Sequence, residues 1–241
     1  MQTVIDLLHS KHLIWQGSKP QHSVETLSTG YKELDTQLDG GLPCHGVVEI
    51  SSDLGIGELR LLTPYIKTNS KQRLSVFINS PGHLCSEYLT QQDIDIHRVI
   101  MIFPKTEKEA LWSAEQCLKS GCCGSVTLWH PSLEVHQARR LQVASETGQC
   151  LMFLFKTEQK HQVSLPISLS IQLQPEENGI KVALHKRKGG WLKSSFSVDM
   201  GHRWPYLVQK QRSTFTTNDF NHQDPINNHD NVAHFPPLKQ G

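Results

Sequence analysis

Two hydrophobic patterns alternate along the chain between about Leu27 and Lys156. Short runs of consecutive apolar residues are separated by longer segments in which apolar residues recur every three or four positions. The first pattern is typical of strands buried on both faces, and the second of amphipathic helices. The predicted strands are 47–51, 74–79, 99–103, 125–129 and 150–155. This order predicts an α/β fold with a mainly parallel central sheet flanked by helices.

The pattern changes after Lys156. Residues 168–173, 180–184 and 195–198 alternate apolar and polar side chains, which is typical of strands with one solvated face. Asn178-Gly179 lies between the first two of these segments and predicts a hairpin turn. The sequence therefore predicts a C-terminal antiparallel hairpin extension of the sheet.

Local signals predict how the helices begin and end. Pro64 lies inside the helical pattern that follows the first strand. Because proline lacks an amide proton and crowds the preceding turn, we expect it to kink or shorten that helix. Thr106 and Glu109 have the spacing of a capping box before the next helix. A further amphipathic helix is predicted over 132–147.

The two ends of the chain differ from this central part. Residues 1–17 form a short amphipathic helical pattern that includes Leu7, Leu8 and Trp15, and the polar residues 18–26 are predicted to be a linker. The predicted core domain covers residues 27–208. Residues 209–241 are rich in Asn, Gln, His, Asp, Thr and Pro, with few apolar side chains. This composition predicts a disordered tail.

Composition and charge narrow the possible partners. The 241 residues include 24 Lys and Arg against 23 Asp and Glu, so no overall charge draws the chain toward nucleic acid or a membrane. The six cysteines include no C-x-x-C pair, which argues against a disulfide framework or a zinc site. The longest apolar run, 150–155, is far shorter than the ~20 residues of a membrane-spanning helix. Residues 1–8 lack the features of a signal peptide. We therefore expect a cytoplasmic protein without membrane contact.

A glycine-rich loop after the first strand carries the strongest functional signal. In a phosphate loop, G-x-x-x-x-G-K-[ST], backbone amides bind the phosphates, the lysine neutralises them and the hydroxyl holds magnesium. Alignment of the last loop glycine on Gly57 places Glu58 at the lysine position and Leu59 at the hydroxyl position. A carboxylate repels a triphosphate, and leucine cannot bind a metal. The alternative for this segment alone is an ordinary tight turn between a strand and a helix.

The segments before this loop carry a family resemblance. Residues 28–31 (STGY), 34–35 (LD), 40–43 (GGLP) and 46–50 (GVVEI) resemble the part of the RecA recombinase core that leads into its ATP loop. The resemblance implies a RecA-like core with a degenerate phosphate loop, whose marker residues are Ser52, Gly55, Gly57, Glu58 and Leu59.

Two further catalytic elements of RecA have no counterpart here. In RecA the second strand continues into a catalytic glutamate, and the fourth strand ends in an aspartate that faces magnesium. The matching segments of this chain, 77–83 (FINSPGH) and 128–130 (LWH), contain no acid. Together with the loop, these losses predict a protein that is not an ATPase and has no cofactor or bound metal.

Over roughly residues 3–205 the chain most closely resembles the ImuA family, RecA-like accessory proteins of bacterial damage-induced mutagenesis. The N-terminal helix, the loop at 55–60, the late basic segment and the overall length carry this likeness. Membership would imply a role in the SOS response and translesion synthesis. The implied partners are RecA, an inactive Y-family-like polymerase subunit of the ImuB type and an error-prone replicative-type polymerase. Any contact with DNA is expected to be weak.

Two other functions also fit the sequence. Residues 98–156 also fit the SulA-type cell-division inhibitors, which resemble a stripped RecA core and bind FtsZ. The N-terminal helix, the 28–50 motifs and the final hairpin favour the ImuA-like interpretation over this one. The second alternative is a RecA-like ATPase with weak ATP binding at a remodelled site.

Basic and aromatic residues suggest where partners bind. The densest basic segment includes Lys186, Arg187 and Lys188, with Trp191 close by. Its position resembles the inter-subunit contact of RecA filaments, and a solvated hairpin tip is nearly as good an explanation. Arg139 and Arg140 lie on the helix after the fourth strand and are a second candidate contact, with an exposed helical face as the alternative. The N-terminal residues Leu7, Leu8 and Trp15 are the third.

Overall fold

A computed structural model describes residues 25–156, 165–188 and 194–205. The helices within these ranges are α1 (Lys32–Gln37), α2 (Glu58–Asn69), α3 (Ser86–Gln91), α4 (Glu107–Lys119) and α5 (Val135–Gly148), with a 3-10 turn at Ile96–Arg98. The strands are β1 (Thr26–Leu27), β2 (Leu42–Pro43), β3 (Gly46–Ser51), β4 (Leu74–Ile78), β5 (Val99–Ile102), β6 (Cys123–His130), β7 (Leu151–Lys156), β8 (Leu169–Glu176), β9 (Gly179–Arg187) and β10 (Phe196–Asp199).

Eight of these strands form one sheet in the order β10-β9-β8-β3-β7-β6-β4-β5. The pairs from β8 through β3, β7, β6 and β4 to β5 are all parallel. The hairpin β8–β9 and the last strand β10 add antiparallel pairs at one side. The predicted α/β fold with a mainly parallel sheet and a C-terminal antiparallel extension is therefore confirmed.

The sheet separates two hydrophobic cores. Helices α1, α2 and α3 cover one face, and α4 and α5 cover the other. Strand β7 shows the consequence, because Phe153 packs in the first core while its neighbours Met152 and Leu154 pack in the second. Neither face of such a parallel strand contacts solvent, so consecutive residues are apolar, which explains the continuous apolar runs in the sequence.

Pro64 does not end helix α2, which continues to Asn69. A proline inside a helix leaves the carbonyl four residues earlier without its usual amide donor, here that of Arg60. The Tyr31 hydroxyl donates to this carbonyl at 3.1 Å and in turn accepts from the Trp204 indole at 3.1 Å. A tertiary hydrogen bond thus replaces the one that Pro64 removes.

The helix caps follow the predicted signals only in part. Thr106 caps α4 by accepting from the Glu109 amide at 3.2 Å. The Glu109 carboxylate accepts from the Lys105 amide at 2.8 Å rather than from that of Thr106, so the capping box is displaced by one residue. Helix α5 begins with a capping box between Glu134 and Gln137, a feature not predicted from the sequence.

The β8–β9 turn is one residue away from the predicted position. Glu176 pairs with Gly179, so the turn consists of Glu177 and Asn178. Gly179 is needed inside β9 rather than in the turn, because a Cβ there would lie 2.1 Å from the Val198 carbonyl oxygen of β10. The glycine therefore permits close backbone approach and does not form the turn.

Several predicted features lie outside the described residues. They are the N-terminal helix with Leu7, Leu8 and Trp15, most of the 18–26 linker, Trp191 and the tail 209–241. In the part of the chain that the structure describes, no helix has the length and apolar character needed to cross a membrane.

Candidate functional site

The degenerate loop connects the end of β3 to the start of α2. The strand is flanked by β7 and β8 in the parallel part of the sheet, so the loop lies at the carboxyl edge of these strands. Gly55 and Gly57 have φ angles of 82° and 103°, in the region that favours glycine. Gly57 is the N-cap residue of α2. The loop therefore presents backbone amides at a helix N-terminus, as an anion-binding loop does.

The carboxylate of Glu58 already engages these amides. Glu58 is the first residue of α2 and is only 7% exposed. Its Oε1 accepts from the Gly55 amide at 3.3 Å, and its Oε2 accepts from the Gly57 amide at 3.1 Å. A negative charge at a helix N-terminus is also favoured by the helix dipole. The chain's own carboxylate thus satisfies donors of the kind that bind a phosphate.

Leu59 and Ser52 occupy two further positions at which a phosphate loop has its characteristic residues. Leu59 stands where a phosphate loop has its hydroxyl, and it packs half-buried against the first hydrophobic core. Ser52 stands where the loop has its first glycine and is also half-buried. Leucine has no oxygen for a magnesium ion, so the hydroxyl ligand of a phosphate loop is lost at this position.

The neighbouring strand ends hold aromatic and amide groups. Asn79, after β4, adopts a left-handed conformation with φ of 55°, and its side chain donates to the Trp129 carbonyl at 3.2 Å. Trp129, near the end of β6, stacks on Phe155 of β7 with ring centroids 5.1 Å apart. Together with the loop these rings border a cavity of about 250 Å³, whose lining, among the residues that the structure describes, includes Asp53 and Lys156 as its charged groups.

His130 ends β6 where RecA, by the resemblance, has an acid. The ring is 3% exposed, and its Nε2 lies 4.0 Å from Glu107 Oε2. Neither ring nitrogen has a hydrogen-bond partner among the described residues. A buried imidazole of this kind could not replace a carboxylate as a magnesium ligand in an oxygen-rich site.

The residues of the basic segment each have a partner within the chain. The Lys186 ammonium donates to the Leu165 carbonyl. Arg187 forms an ion pair with Asp39 and donates to the Leu38 carbonyl at 2.7 Å, and its side chain is 17% exposed. Lys188 lies 3.6 Å from a Glu146 carboxylate oxygen. These contacts link the end of β9 to the turn after α1, to α5 and to the segment before β8, while the proposed partner role of the three cations stays a prediction.

The two arginines of α5 differ from each other. Arg140 pairs with Glu115 of α4, which is also bonded to Lys119 at 2.5 Å. These contacts hold the pKa of Glu115 below its usual value, first through the hydrogen bond from Lys119 and then through the charge of Arg140. Arg139 is exposed and makes no hydrogen bond or ion pair with the described residues. Of these two arginines, only Arg139 can contact a partner without first losing an ion pair within the chain.

A groove between α4 and α5 was not predicted from the sequence. Its volume is about 640 Å³, and Trp112 on its rim is 61% exposed. A signal was present, because Trp112 lies off the helical stripe of Ala110, Ala114 and Leu118 that packs on the sheet. The Trp112 side chain therefore faces solvent rather than the sheet.

Comparisons with known proteins agree with the RecA-like fold. No family model matches the chain. RecA of Synechococcus elongatus is 29% identical over 113 residues, which cover 46% of this chain and 32% of that protein. RecA of Crocosphaera subtropica is 30% identical over the same length, with the same coverage of both chains. RecA of Acholeplasma laidlawii is 28% identical over 114 residues, 46% of this chain and 34% of that protein.

The match spans about a third of the length of these curated relatives. It supports a relationship to RecA at the level of a superfamily. Among solved structures, SulA from Pseudomonas aeruginosa aligns with 46% of this chain and 96% of its own, at 24% identity and a TM-score of 0.40.

Proposed function

We propose that this protein is a non-catalytic adaptor of SOS-induced translesion DNA synthesis, acting in the cytoplasm. It would link an error-prone polymerase assembly to RecA or to damaged DNA. The partners that the ImuA-like features imply are RecA, an inactive polymerase subunit of the ImuB type and a replicative-type polymerase. The RecA-like fold supports this proposal by giving the chain surfaces related to those of RecA.

The observation that carries the proposal is the position of the Glu58 carboxylate. It accepts from the Gly55 and Gly57 amides at the helix N-terminus, and it is buried there. A nucleotide phosphate would have to displace it and would then lie close to a second negative charge. At an effective dielectric constant of ~20, like charges ~4 Å apart repel by about 4 kcal/mol. A loop closed in this way favours binding of partners over turnover of nucleotide.

The first test asks whether the chain uses ATP. Full-length protein is titrated with labelled ATP and magnesium, and release of phosphate is followed in the same samples. The adaptor function predicts no saturable hydrolysis and no magnesium-dependent binding. Saturable turnover that disappears on chelation of magnesium would favour the ATPase alternative instead.

The second test identifies the partners. The tagged full chain is isolated from DNA-damaged cells of its own species under mild cross-linking, and bound proteins are identified by mass spectrometry. Recovery of RecA or a Y-family-like polymerase subunit supports the adaptor function. Recovery of FtsZ without either would move the function to cell-division inhibition.

A further inference from the structure

Three cysteines pack together in the second hydrophobic core. Cys117 lies in the last turn of α4, Cys123 is the first residue of β6, and Cys150 directly precedes β7. These are the amino ends of the two strands, so the cluster lies at the edge of the sheet opposite the degenerate loop. Cys123 and Cys150 are buried, whereas Cys117 is half-buried. Solvent therefore reaches the cluster at Cys117.

Cys117 and Cys123 are in direct contact, and their thiols are hydrogen-bonded to each other. Ser120 lies in the connection between them. Its hydroxyl donates to the Cys117 carbonyl at 2.8 Å and lies 3.7 Å from Cys123 Sγ. The connection consists of residues 120–122, which keeps the end of α4 close to the start of β6. Two thiols in this arrangement can form a disulfide without separation of the elements that carry them.

The same contacts make the two thiols chemically unequal. The hydrogen bond from Cys117 lowers the pKa of Cys123 below its ordinary value of 9.0. Burial opposes this change, while the hydrogen bond from Ser120 and the positive charge of Arg73 add to it. The interaction with Cys123, together with burial, raises the pKa of Cys117. Cys123 is therefore the sulfur that ionises, and a thiolate is the reactive form of cysteine.

The other nearby cysteines are poorer partners for Cys123. Burial raises the pKa of Cys150 to about 12, and its thiol donates to the Leu151 carbonyl at 3.7 Å. The Cys122 thiol donates to the Ser120 carbonyl at 3.6 Å. The Cα atoms of adjacent residues are also only ~3.8 Å apart, closer than the usual span of a disulfide. Cys117 is the partner that the contacts favour.

We propose that Cys117 and Cys123 form a redox-active dithiol that a hydroperoxide converts reversibly into a disulfide. The Cys123 thiolate attacks a peroxide oxygen, so that an S–O bond forms, the O–O bond breaks and hydroxide leaves. The hydroxide takes up the proton that Cys123 had released to solvent. The Cys117 thiol then attacks the sulfenic acid, an S–S bond forms, and water leaves. The two sulfurs lose two electrons and the peroxide gains them.

This modification goes beyond the proposed adaptor function and requires neither RecA nor a polymerase. Disulfides in a reducing cytosol are usually transient and serve redox sensing or catalysis rather than structure. The sequence gave no sign of the pair, because Cys117 and Cys123 are not spaced as C-x-x-C. Only the packing of α4 against β6 brings the two sulfurs together.

Peroxide treatment of the reduced full-length chain tests the proposal. Trypsin cleaves after Lys119, so Cys117 lies on peptide 109–119 and Cys123 on peptide 120–139. After brief treatment with a small excess of hydrogen peroxide at neutral pH, we expect mass spectrometry to find these peptides linked, with loss of two hydrogen atoms. Dithiothreitol should restore the separate peptides.

Matched variants assign the linked sulfurs. Cys122→Ser and Cys85→Ser each remove an exposed cysteine and should leave the yield of linked peptide unchanged. Cys117→Ala and Cys123→Ala should each abolish the link. Equal melting temperatures of the variants under reducing conditions show that a loss is not due to unfolding. A link that Cys122→Ser abolishes, or one that joins Cys123 to Cys150, would overturn the assigned pair.

The pH dependence of the rate tests whether Cys123 is the attacking sulfur. An ordinary free thiol, such as N-acetylcysteine, reacts about tenfold faster for each pH unit below its pKa, because only the thiolate reacts. The link in the protein should form at a rate that changes less than about threefold between about pH 7 and about pH 8. A tenfold rise over the same range would overturn the role of Cys123 as the attacking sulfur.

The decisive negative result is equally simple to observe. If peroxide oxidises the exposed Cys85 while peptides 109–119 and 120–139 stay unlinked, the redox-active pair does not exist. The purified chain is used alone in each of these measurements. Failure of the redox proposal would therefore leave the adaptor function untouched, and failure to capture RecA or a polymerase subunit would leave the redox pair untouched.

Discussion

Glu58 occupies the position at which a phosphate loop has its lysine, and its contacts change what that substitution means. From the sequence, the carboxylate is expected only to repel a nucleotide. In the structure it accepts from the Gly55 and Gly57 amides and is buried at the start of α2. Hydrogen bonds to a charged acceptor are stronger than neutral ones, so this carboxylate stabilises the loop as well as closing it.

Removal of this carboxylate should reopen the loop. In Glu58→Ala the two amides lose their acceptor, and we expect a loss of about 1–2 kcal/mol in the free energy of unfolding. Inorganic pyrophosphate should then raise the melting temperature of the variant but not of the wild type, because an anion can replace the carboxylate. Glu33→Ala removes an exposed carboxylate from the first turn of α1 and is the control. A melting temperature of Glu58→Ala that does not respond to pyrophosphate would contradict the assignment of an anion cradle.

The identity of the site residues could be read from the sequence, but their contacts could not. The departures at Ser52, Glu58 and Leu59 follow from a local alignment. The partners of Lys186 and Arg187 could not be predicted, since Leu165 and Asp39 approach them only when β8, β9 and α1 pack together. The sequence identifies the basic residues, but tertiary packing decides whether their side chains are already bonded within the chain.

Helices α4 and α5 are in close contact at their C-terminal ends. Gly148, the last residue of α5, lies so close to α4 that a Cβ there would be 1.8 Å from the Leu118 carbonyl oxygen. The Arg73 guanidinium spans the same region, donating to the carbonyls of Gly121 at 3.0 Å and of Gly148 at 2.7 Å. This contact fixes the distance between the two helix ends.

Gly148→Ala should therefore destabilise the protein although it adds alanine to a helix. At an ordinary helical position this change stabilises by about 0.5–1 kcal/mol. Here the new methyl group meets backbone, so the helix ends must separate, and we expect a net loss of about 1–3 kcal/mol. Gly82→Ala, where a Cβ has nothing within 4 Å, is the matched control and should be nearly neutral. Urea unfolding of both variants measures the difference, and a stabilising effect at position 148 would refute the close packing.

Sequence patterns located most elements well and failed where tertiary contacts override local rules. Each of the five parallel strands expected up to Lys156 is present, because burial on both faces leaves a clear apolar run. Helix α2 passes Pro64 because Tyr31, far away in sequence, bonds the Arg60 carbonyl. The short helix α3 (Ser86–Gln91) was not predicted, since six residues carry too little periodicity.

At the scale of the whole molecule, the two cores enclose ionisable groups that must stay neutral. Burial raises the pKa of the Tyr31 and Tyr65 hydroxyls above their usual value. Burial, with a smaller contribution from Cys123, raises the pKa of the Cys150 thiol to about 12 from an ordinary value of 9.0. Each of these groups is harder to ionise in the folded protein than in the unfolded chain. The fold is therefore linked to pH on the alkaline side.

The sign of this linkage gives a prediction for alkaline stability. Cys150 stabilises the folded state fully below its unfolded pKa, and this contribution is lost as pH rises from about 9 to about 12, because only the unfolded chain then releases the proton. The complete loss is on the order of 4 kcal/mol for this thiol.

Cys150→Ala should be less stable than the wild type at neutral pH, because it leaves a small cavity, but the difference should shrink as pH rises. Urea unfolding under reducing conditions between about pH 7 and about pH 11 measures this difference. The exposed Cys85→Ala serves as the control. A gap between wild type and Cys150→Ala that stays constant over this range would show that the buried thiol does not govern alkaline unfolding.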